Sequence, residues 1–267
     1  FFSENLEGDP ALMLLGSIQI SDFLDVLSKR EHLQSFLTGF LEHLDSPTAP
    51  PWKQLDWYNL LEDSPTLPQL RKVANRMGWK TTQTRMQPAP YIPLPDDWDT
   101  YLAGIKKKQR HEIRRKLRRA AGHFIPVNWR IVEDGNSLDA EIDSLFILMA
   151  QDASKEVFLT EVMRTQMRSL IHAAQRADWL QLAFLMVGGE KAAAYLNFDY
   201  DNRIWLYNSG LDYKFSELSP GWVLLSHLIQ WAVDHRRDVF DFLRGDEDYK
   251  YRFGGVDRYV CRIQVQR

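Results

Sequence analysis

The sequence predicts a mixed α/β fold. Three consecutive strand patterns in the C-terminal third are separated only by turns: 179–187, 191–200 and 203–211. The turn residues Gly188-Gly189 and Asp201-Asn202 tolerate the positive φ angles of tight hairpins, which predicts an antiparallel meander. An apolar helix at 222–235 and a strand at 239–243 follow, and a last strand at 258–265 is expected to close the same sheet. This order of meander, helix, strand and strand is typical of a mixed sheet with helices packed on it.

The chain length of 267 residues permits one large domain or two small ones, each with a core. Four prolines interrupt regular structure before residue 96: Pro88, Pro90, Pro93 and Pro95. We therefore expect a linker here, with residues 1–95 and 96–267 as two domains.

The first of these parts alternates strand and helix patterns. A strand is predicted from Ala11 to Leu15, and a helical pattern runs from Ser21 to Leu44, with a break near Lys29 to Glu31 as an alternative. The remaining elements are a strand at 52–60, a helix from Ser64-Pro65 through Met77 and an extended segment at 79–87.

A basic helix is predicted from Asp96 to Gly122, with an apolar stripe at helical spacing. Its cations in residues 106–119 face a single carboxylate, Glu112: Lys106, Lys107, Lys108, Arg110, Arg114, Arg115, Lys116, Arg118 and Arg119. A solvated face and an anion-binding face are both open. The candidate partners are a cofactor phosphate, tRNA, lipid headgroups or an acidic glycan, although the run lacks the aromatic residues on which single-stranded bases stack.

Between this helix and the meander, the pattern predicts a strand at 124–133 and helices at 138–151 and 161–176.

Composition excludes several classes of protein. A net charge of −3 does not indicate a general polyanion binder. The single cysteine, Cys261, excludes an intrachain disulfide and a cysteine-rich metal site, and it lies in a strand pattern typical of the core. No run of 18 apolar residues predicts a transmembrane segment, and no histidine or cysteine spacing predicts a metal site. We expect a cytoplasmic protein.

The turn before the last long helix, Ser219-Pro220-Gly221, has the composition of a helix start. Serine is a common cap, proline suits the first helical position, and glycine lets a ligand approach the backbone. The N–H groups of Gly221, Trp222 and Val223 lack helical partners there, and such a terminus favours an anionic phosphate. A plain cap and a phosphate site are both open.

The segment DFLRGDEDYKYRFGG, residues 241–255, joins an apolar strand to a dense cluster of ionisable groups. Asp241 lies between Phe240 and Phe242, and the strand breaks at Gly245. The cluster consists of Arg244, Asp246, Glu247, Asp248, Tyr249, Lys250 and Arg252. In α/β folds, ligand-binding and catalytic residues commonly lie at the end of a buried strand, so this cluster is a candidate site. The alternative interpretation, a solvated turn held by ion pairs, is equally compatible with the sequence.

Three blocks, in this order, resemble the GNAT acyltransferase fold over residues 96–267. YLAGIKKKQRHEIRRKLRRA resembles its basic helix, LYNSGLDYKFSELSPGWVLLSHLIQWA its cofactor strand, phosphate turn and helix, and FDFLRGDEDYKYRFGG its signature strand and loop. The resemblance is to the branch with CelD-like polysaccharide-biosynthesis acetyltransferases, related to the FemAB aminoacyl transferases. The N-terminal third resembles the degenerate first GNAT-like lobe of two-lobed FemAB-type proteins.

The resemblance implies that an acyl-CoA binds between the strand end Asn208-Ser209-Gly210 and the strand from Val239 to Leu243. Acetyl-CoA is the first candidate for this acyl-CoA. The pyrophosphate would rest on the turn from Ser219 to Val223, which includes Gly221 and Trp222, with Lys214 as a charge partner. This turn has fewer glycines than the usual GNAT phosphate loop, and its proline removes one backbone N–H group. The identity of the acyl-donating cofactor therefore stays open.

The resemblance also implies direct acyl transfer with no metal. The attacking amine or hydroxyl must lose a proton, and Asp241 and Glu247 are the candidate bases. Tyr249 is the candidate proton donor to the leaving thiolate, and Lys250 and Arg244 are candidates for holding an anionic substrate or the pantetheine end. Each of these residues also has a purely structural alternative. Tyr249 would only pack in the core, and the charged residues would form ion pairs or hydrogen bonds to the backbone.

Three functions follow. The first is acyl transfer from acyl-CoA to an amine or hydroxyl of a sugar or cell-envelope precursor. The second is a FemAB-type transferase that uses aminoacyl-tRNA, bound by the basic helix. The third is a non-catalytic GNAT-like scaffold in polysaccharide assembly.

Overall fold

The computed structural model describes residues 1–16, 18, 20–133 and 137–267. The strands of the described residues are β1 (Phe2–Glu4), β2 (Pro10–Leu12), β3 (Gln54–Leu61), β4 (Lys80–Pro88), β5 (Tyr91–Pro93), β6 (Val127–Ile131), β7 (Leu180–Val187), β8 (Glu190–Tyr200), β9 (Arg203–Leu211), β10 (Val239–Asp241) and β11 (Tyr259–Gln266). The helices are α1 (Leu33–Asp45), α2 (Thr66–Arg76), α3 (Trp98–Gly104), α4 (Lys107–Ala121), α5 (Leu138–Met149), α6 (Ala153–Phe158), α7 (Glu161–Arg176), α8 (Pro220–Asp234) and α9 (Asp248–Arg252).

The chain divides into two compact units. The first consists of Phe1–Pro90, Arg244–Asp246 and Asp257–Arg267, and the second of Tyr91–Leu243 and Glu247–Val256. The sequence placed a single boundary at residue 95. In the structure the second unit begins at Tyr91, and the chain returns to the first unit twice.

The first unit is a mixed five-stranded sheet in the order β1-β2-β3-β11-β4. Leucines of α1 and α2 pack on β3 and β11 to form its core. The sequence predicted that the last strand closes the C-terminal sheet. That prediction was wrong, because β11 pairs antiparallel with both β3 and β4. Cys261, in this strand, is a buried core residue as predicted.

The predicted helix from Ser21 is only half present, because α1 begins at Leu33. Residues 22–29 are not helical. This segment bonds to β3 instead: Asn59 donates its side-chain amide to the Ser21 carbonyl at 2.8 Å, and the Leu24 N–H donates to the Asn59 carbonyl at 3.0 Å. Leu27, which lies within the predicted helical pattern, is fully exposed.

The second unit is a mixed six-stranded sheet in the order β5-β10-β9-β8-β7-β6. Helices α3, α4 and α8 share a core with one face of β7, β8 and β9, and α5 and α7 share a core with the other face. The predicted meander and the helix that follows it are confirmed. The predicted linker contributes β5, whose proline is tolerated because β5 is an edge strand.

The predicted helix from Asp96 to Gly122 is two helices. Ile105 is extended between them, with ψ at 158°. The guanidinium of Arg110 donates to the Leu102 and Ala103 carbonyls at 3.2 and 3.3 Å, which satisfies the end of α3. The periodicity of the apolar residues continues across the break and does not reveal it.

The strand β9 has a free edge. β10 pairs in parallel with β9 only from Arg203 to Trp205 and then ends at Asp241. Beyond Trp205, β9 continues to Leu211 with β8 as its partner among the described strands. The edge from residue 208 to 211 therefore has no partner strand among the described ones and lies open to a ligand or to side chains.

Candidate functional site

The start of α8 combines an unusual backbone with free donors. Ser219 has a left-handed backbone at φ +53°, and its carbonyl accepts the Val223 N–H at 3.1 Å. The predicted serine cap is wrong, because the Ser219 side chain caps no helical N–H. The N–H groups of Gly221 and Trp222 have no acceptor among the described residues, so two of the three predicted donors are available.

Lys116 of α4 brings a cation to this terminus. Its Nζ donates to the Ser219 hydroxyl at 2.9 Å and lies 4.5 Å from the centre of the Trp222 ring. Burial lowers the pKa of Lys116, and the Glu112 carboxylate at 3.6 Å opposes that shift. Sequence reasoning counted Lys116 in the basic run but did not place it in a site, because only the packing of α4 on α8 shows its position.

Gly221 packs closely against side chains of β8 and β9. A Cβ atom there would lie 2.9 Å from a methyl group of Leu211 and 3.7 Å from the Tyr195 hydroxyl. Two free N–H groups, the positive end of a fifteen-residue helix and the Lys116 ammonium together form a site that suits an anionic group such as a phosphate.

The remaining cations of α4 form a basic surface around Lys116. Lys106, Lys107, Lys108 and Arg118 are exposed. Arg114, Arg115 and Arg119 have carboxylate neighbours, at 3.5, 2.7 and 3.9 Å respectively. Exposed pairs of this kind are weak, so they leave the positive character of the surface largely intact.

The predicted strand end Asn208-Ser209-Gly210 lies on the free edge of β9. Both main-chain polar groups of Ser209 bond to side chains: its N–H donates to Asn208 Oδ1 at 2.9 Å, and its carbonyl accepts from Lys155 Nζ at 2.5 Å. Gly210 has a packing reason to be glycine, because a Cβ atom there would lie 2.5 Å from the backbone of Leu148 and Met149.

Sequence reasoning missed Lys155. It lies on α6, directly after Asp152 and Ser154, and nothing in its local pattern distinguishes it from a solvated lysine. Burial lowers the pKa of Lys155, and the charges of Asp152 and Glu247 act in the opposite direction. Its ammonium is therefore within electrostatic reach of the predicted base Glu247.

Lys214, the predicted charge partner of the pyrophosphate, contacts two carboxylates. Its ammonium pairs with Glu190, at the start of β8, and lies 3.5 Å from Asp212. The hydrogen bond to Glu190 raises the pKa of Lys214. The ammonium also lies 4.8 Å from the centre of the Phe215 ring, and none of these printed contacts involves the start of α8.

Three residues of the predicted cluster, Glu247, Tyr249 and Lys250, lie in α9 or directly before it and form what we call the α9 cluster. Glu247 Oε2 lies 2.8 Å from the Nζ of the buried Lys250, while the Glu247 side chain is 57% exposed. Tyr249 packs edge-on against Phe242, and burial raises its pKa well above the usual value, with Tyr195 and Glu247 adding to the shift. Tyr249 therefore stays protonated at neutral pH.

Tyr195 links this cluster to the start of α8. Its hydroxyl donates to the Gly221 carbonyl at 3.4 Å, and burial raises its pKa. Because Tyr195 also acts on the pKa of Tyr249, the two phenols, Glu247 and the α8 terminus occupy one region of the second unit.

Asp241 is fully buried at the end of β10. Its Oδ1 accepts the Leu243 N–H at 2.9 Å, and Leu243 has a left-handed backbone at φ +57°. The carboxylate therefore stabilises the turn that follows the strand, as the structural alternative expected.

Arg244 belongs to the first unit. Its guanidinium donates to Asp22 at 2.6 Å, to Asn59 at 3.0 Å and to the Ile18 carbonyl at 2.8 Å. These bonds link Ile18 and Asp22 to Asn59 of β3.

The described residues contain neither a cluster of metal ligands nor a helix that could span a membrane. In the ranges given above, no three histidine, cysteine or carboxylate side chains are grouped as metal ligands. Within the same residues, no helix has the length and apolar character needed to cross a bilayer.

Comparison with known proteins identifies the second unit. A family model described as "Acetyltransferase (GNAT) domain" matches residues 107–251, more than half of the chain. No curated protein matches the sequence.

Solved structures share the fold at low identity. FemX has a TM-score of 0.62 at 12% identity, over 87% of this chain and 76% of FemX. The C-terminal domain of a putative lysylphosphatidylglycerol synthetase from Agrobacterium fabrum has a TM-score of 0.57 at 11% identity, over 90% and 75%. The L-PGS structure from Bacillus licheniformis has 0.58 at 10%, over 90% and 74%.

Proposed function

This chain belongs to the acetyltransferase (GNAT) domain family, and we propose that it transfers an acetyl or other acyl group from acyl-CoA to an amine or hydroxyl. The acceptor we propose is a sugar or a cell-envelope precursor, as in the CelD-like branch. Membership of the family supports a GNAT-domain acyltransferase. The identities of the acyl donor and of the acceptor are what we propose.

The start of α8 is the observation that carries this proposal. The N–H groups of Gly221 and Trp222 have no acceptor among the described residues, and the ammonium of Lys116 lies at the same terminus, in contact with Ser219 and Trp222. A diphosphate placed there would gain charge-assisted hydrogen bonds. The free edge of β9 begins in the same region, because Tyr195 of β8 contacts Gly221. A pantetheine arm could extend along that edge from the phosphate position.

The α9 cluster supplies the chemistry. Glu247 is the base in this proposal, because its exposed carboxylate can receive the acceptor's proton directly or through water. Tyr249 is the acid, because burial keeps its phenol protonated. Lys250 holds the Glu247 carboxylate at 2.8 Å. Asp241 is the weaker candidate base, since it is fully buried and bonded to the turn.

A thermal titration tests the donor. CoA or acetyl-CoA at about 100 times its dissociation constant should stabilise the folded chain by ~2.7 kcal/mol. We expect a rise in melting temperature with both, and none with pantetheine, which lacks the nucleotide phosphates. A flat response to CoA across acyl chain lengths would contradict the proposal.

A second candidate is a FemAB-type transferase that takes its acyl group from aminoacyl-tRNA. The exposed cations of α4 favour it, because they extend the positive surface beyond what one diphosphate needs. Binding of tRNA in a gel-shift titration, weakening steeply between 50 and 200 mM salt, together with no response to CoA, would select this candidate.

A further inference from the structure

The ammonium group of Lys155, at the free edge of β9, has one N–H without an acceptor among the described residues. Its Nζ donates to the Ser209 carbonyl at 2.5 Å and lies 3.2 Å from the Ser209 hydroxyl. An ammonium group carries three N–H donors, and the third has no acceptor among the described residues. A partly buried donor without a partner is costly unless a ligand or water accepts its hydrogen.

The position of Lys155 is fixed by its neighbours. Asp152 caps α6 through the Ser154 and Lys155 N–H groups, at 2.9 and 3.2 Å. The close approach of Gly210 to Leu148 and Met149 packs β9 against the end of α5, four residues before α6 begins. These contacts hold the Lys155 ammonium against the edge of β9.

Among the residues that the structure describes, no carboxylate forms a direct ion pair with the Lys155 ammonium. Glu247 acts on it electrostatically, but the Glu247 carboxylate makes its short contact, 2.8 Å, with Lys250. The ammonium is consequently available to a group that develops negative charge between β9 and α9.

We propose that Lys155 is a catalytic residue whose free N–H donates to the oxygen of the acyl carbonyl and stabilises that oxygen as it becomes negative. This inference rests on the proposed function. The acceptor's lone pair forms a bond to the carbonyl carbon, and the π pair moves to the oxygen beside Lys155. The pair then returns, the carbon–sulfur bond breaks, the acceptor's proton passes to Glu247, and the thiolate takes a proton from Tyr249.

A binding experiment isolates the carbonyl contact without turnover. S-acetonyl-CoA carries a ketone, and S-propyl-CoA has the same chain length without one. Wild-type protein should bind the ketone roughly tenfold more tightly, because a hydrogen bond from a charged donor contributes about 1.5 kcal/mol or more. Lys155→Met should bind both ligands equally, and Lys155→Arg should keep part of the preference. Lys155→Gln replaces the methionine variant if that variant does not fold.

Lys191→Met is the matched control. Lys191 is also a partly buried lysine of the second unit, paired with Glu141 at 2.8 Å and Ser144 at 2.6 Å, at the opposite end of α5. It should retain the wild-type preference for the ketone, which separates loss of a carbonyl contact from loss of any buried lysine.

Turnover provides the second readout. With acetyl-CoA, hydroxylamine as acceptor and thiol release as the signal, Lys155→Met should lower kcat roughly 100-fold, with little change in affinity for S-propyl-CoA. If the methionine and glutamine variants keep both the ketone preference and kcat, Lys155 only braces the strand and the inference is wrong. If wild-type protein binds neither ligand, the proposed function itself fails, and this inference fails with it.

Discussion

The ammonium group of Lys116 lies 2.9 Å from the Ser219 hydroxyl, so α4 delivers a cation to the N-terminus of α8. The contact joins two segments that the sequence separates by about a hundred residues. It distinguishes one lysine of the basic helix from eight neighbouring cations.

Replacing Lys116 with methionine should weaken CoA binding about tenfold or more, because a charged hydrogen-bond donor to the phosphate is lost. The affinity can be measured by isothermal calorimetry or by the melting-temperature titration. Lys107→Met removes the same charge from the exposed first turn of α4 and should change the affinity less than twofold. Equal losses in the two variants would indicate a diffuse electrostatic effect and not a site.

Gly210→Ala should destabilise the second unit by about 1–3 kcal/mol, because the new Cβ atom would overlap the backbone of Leu148 and Met149 at 2.5 Å. Urea unfolding measures the loss. Gly104→Ala is the control in the same unit, since a Cβ atom there meets nothing within 4 Å. If Gly210→Ala were as stable as wild type but unable to bind CoA, the glycine would serve the ligand and not the packing.

The secondary structure of the second unit was largely predictable because its strands are long and apolar and its turns have distinctive residues. The meander from Leu180 to Leu211 and the helix beginning at Pro220 appear where the sequence indicated. The division of the basic helix at Ile105 was not predictable, because it depends on Arg110 bonding to the end of α3.

Pairing partners were harder to predict than elements. Periodicity shows that residues 259–266 form a strand, but it does not show that this strand lies between β3 and β4. The same limit explains why Lys155 was missed while Glu247 and Tyr249 were found. The latter two lie within one continuous motif, whereas Lys155 reaches β9 only through the packing of α5 and α6.

The two candidate bases should respond differently to substitution. Asp241→Ala should cost about 1–3 kcal/mol of stability, because the buried Leu243 N–H loses its acceptor, and Asp241→Asn should recover most of it. Glu247→Gln should lower kcat about 100-fold or more and should cost less stability than Asp241→Ala, since the Glu247 side chain is largely exposed and the glutamine oxygen can still accept a hydrogen from Lys250. Urea unfolding and thiol release separate the two effects. A fully active Glu247→Gln enzyme would remove Glu247 from the mechanism.

The first unit should lose stability in alkali through Tyr58. Burial raises the pKa of Tyr58 from 10.0 to about 12, so the folded state holds its proton after the unfolded chain has released it. The stability associated with the protonated phenol is therefore complete below pH 10 and declines as the pH rises toward 12. Across this window, the free energy of unfolding of wild type should fall more steeply than that of Tyr58→Phe, by up to about 1.4 kcal/mol per pH unit. The phenylalanine variant should start lower, because the hydroxyl also donates to Asp56 at 3.1 Å. Urea unfolding at intervals from pH 8 to 11.5 gives both slopes, and parallel curves would show that Tyr58 ionises in the folded state as readily as in the unfolded one.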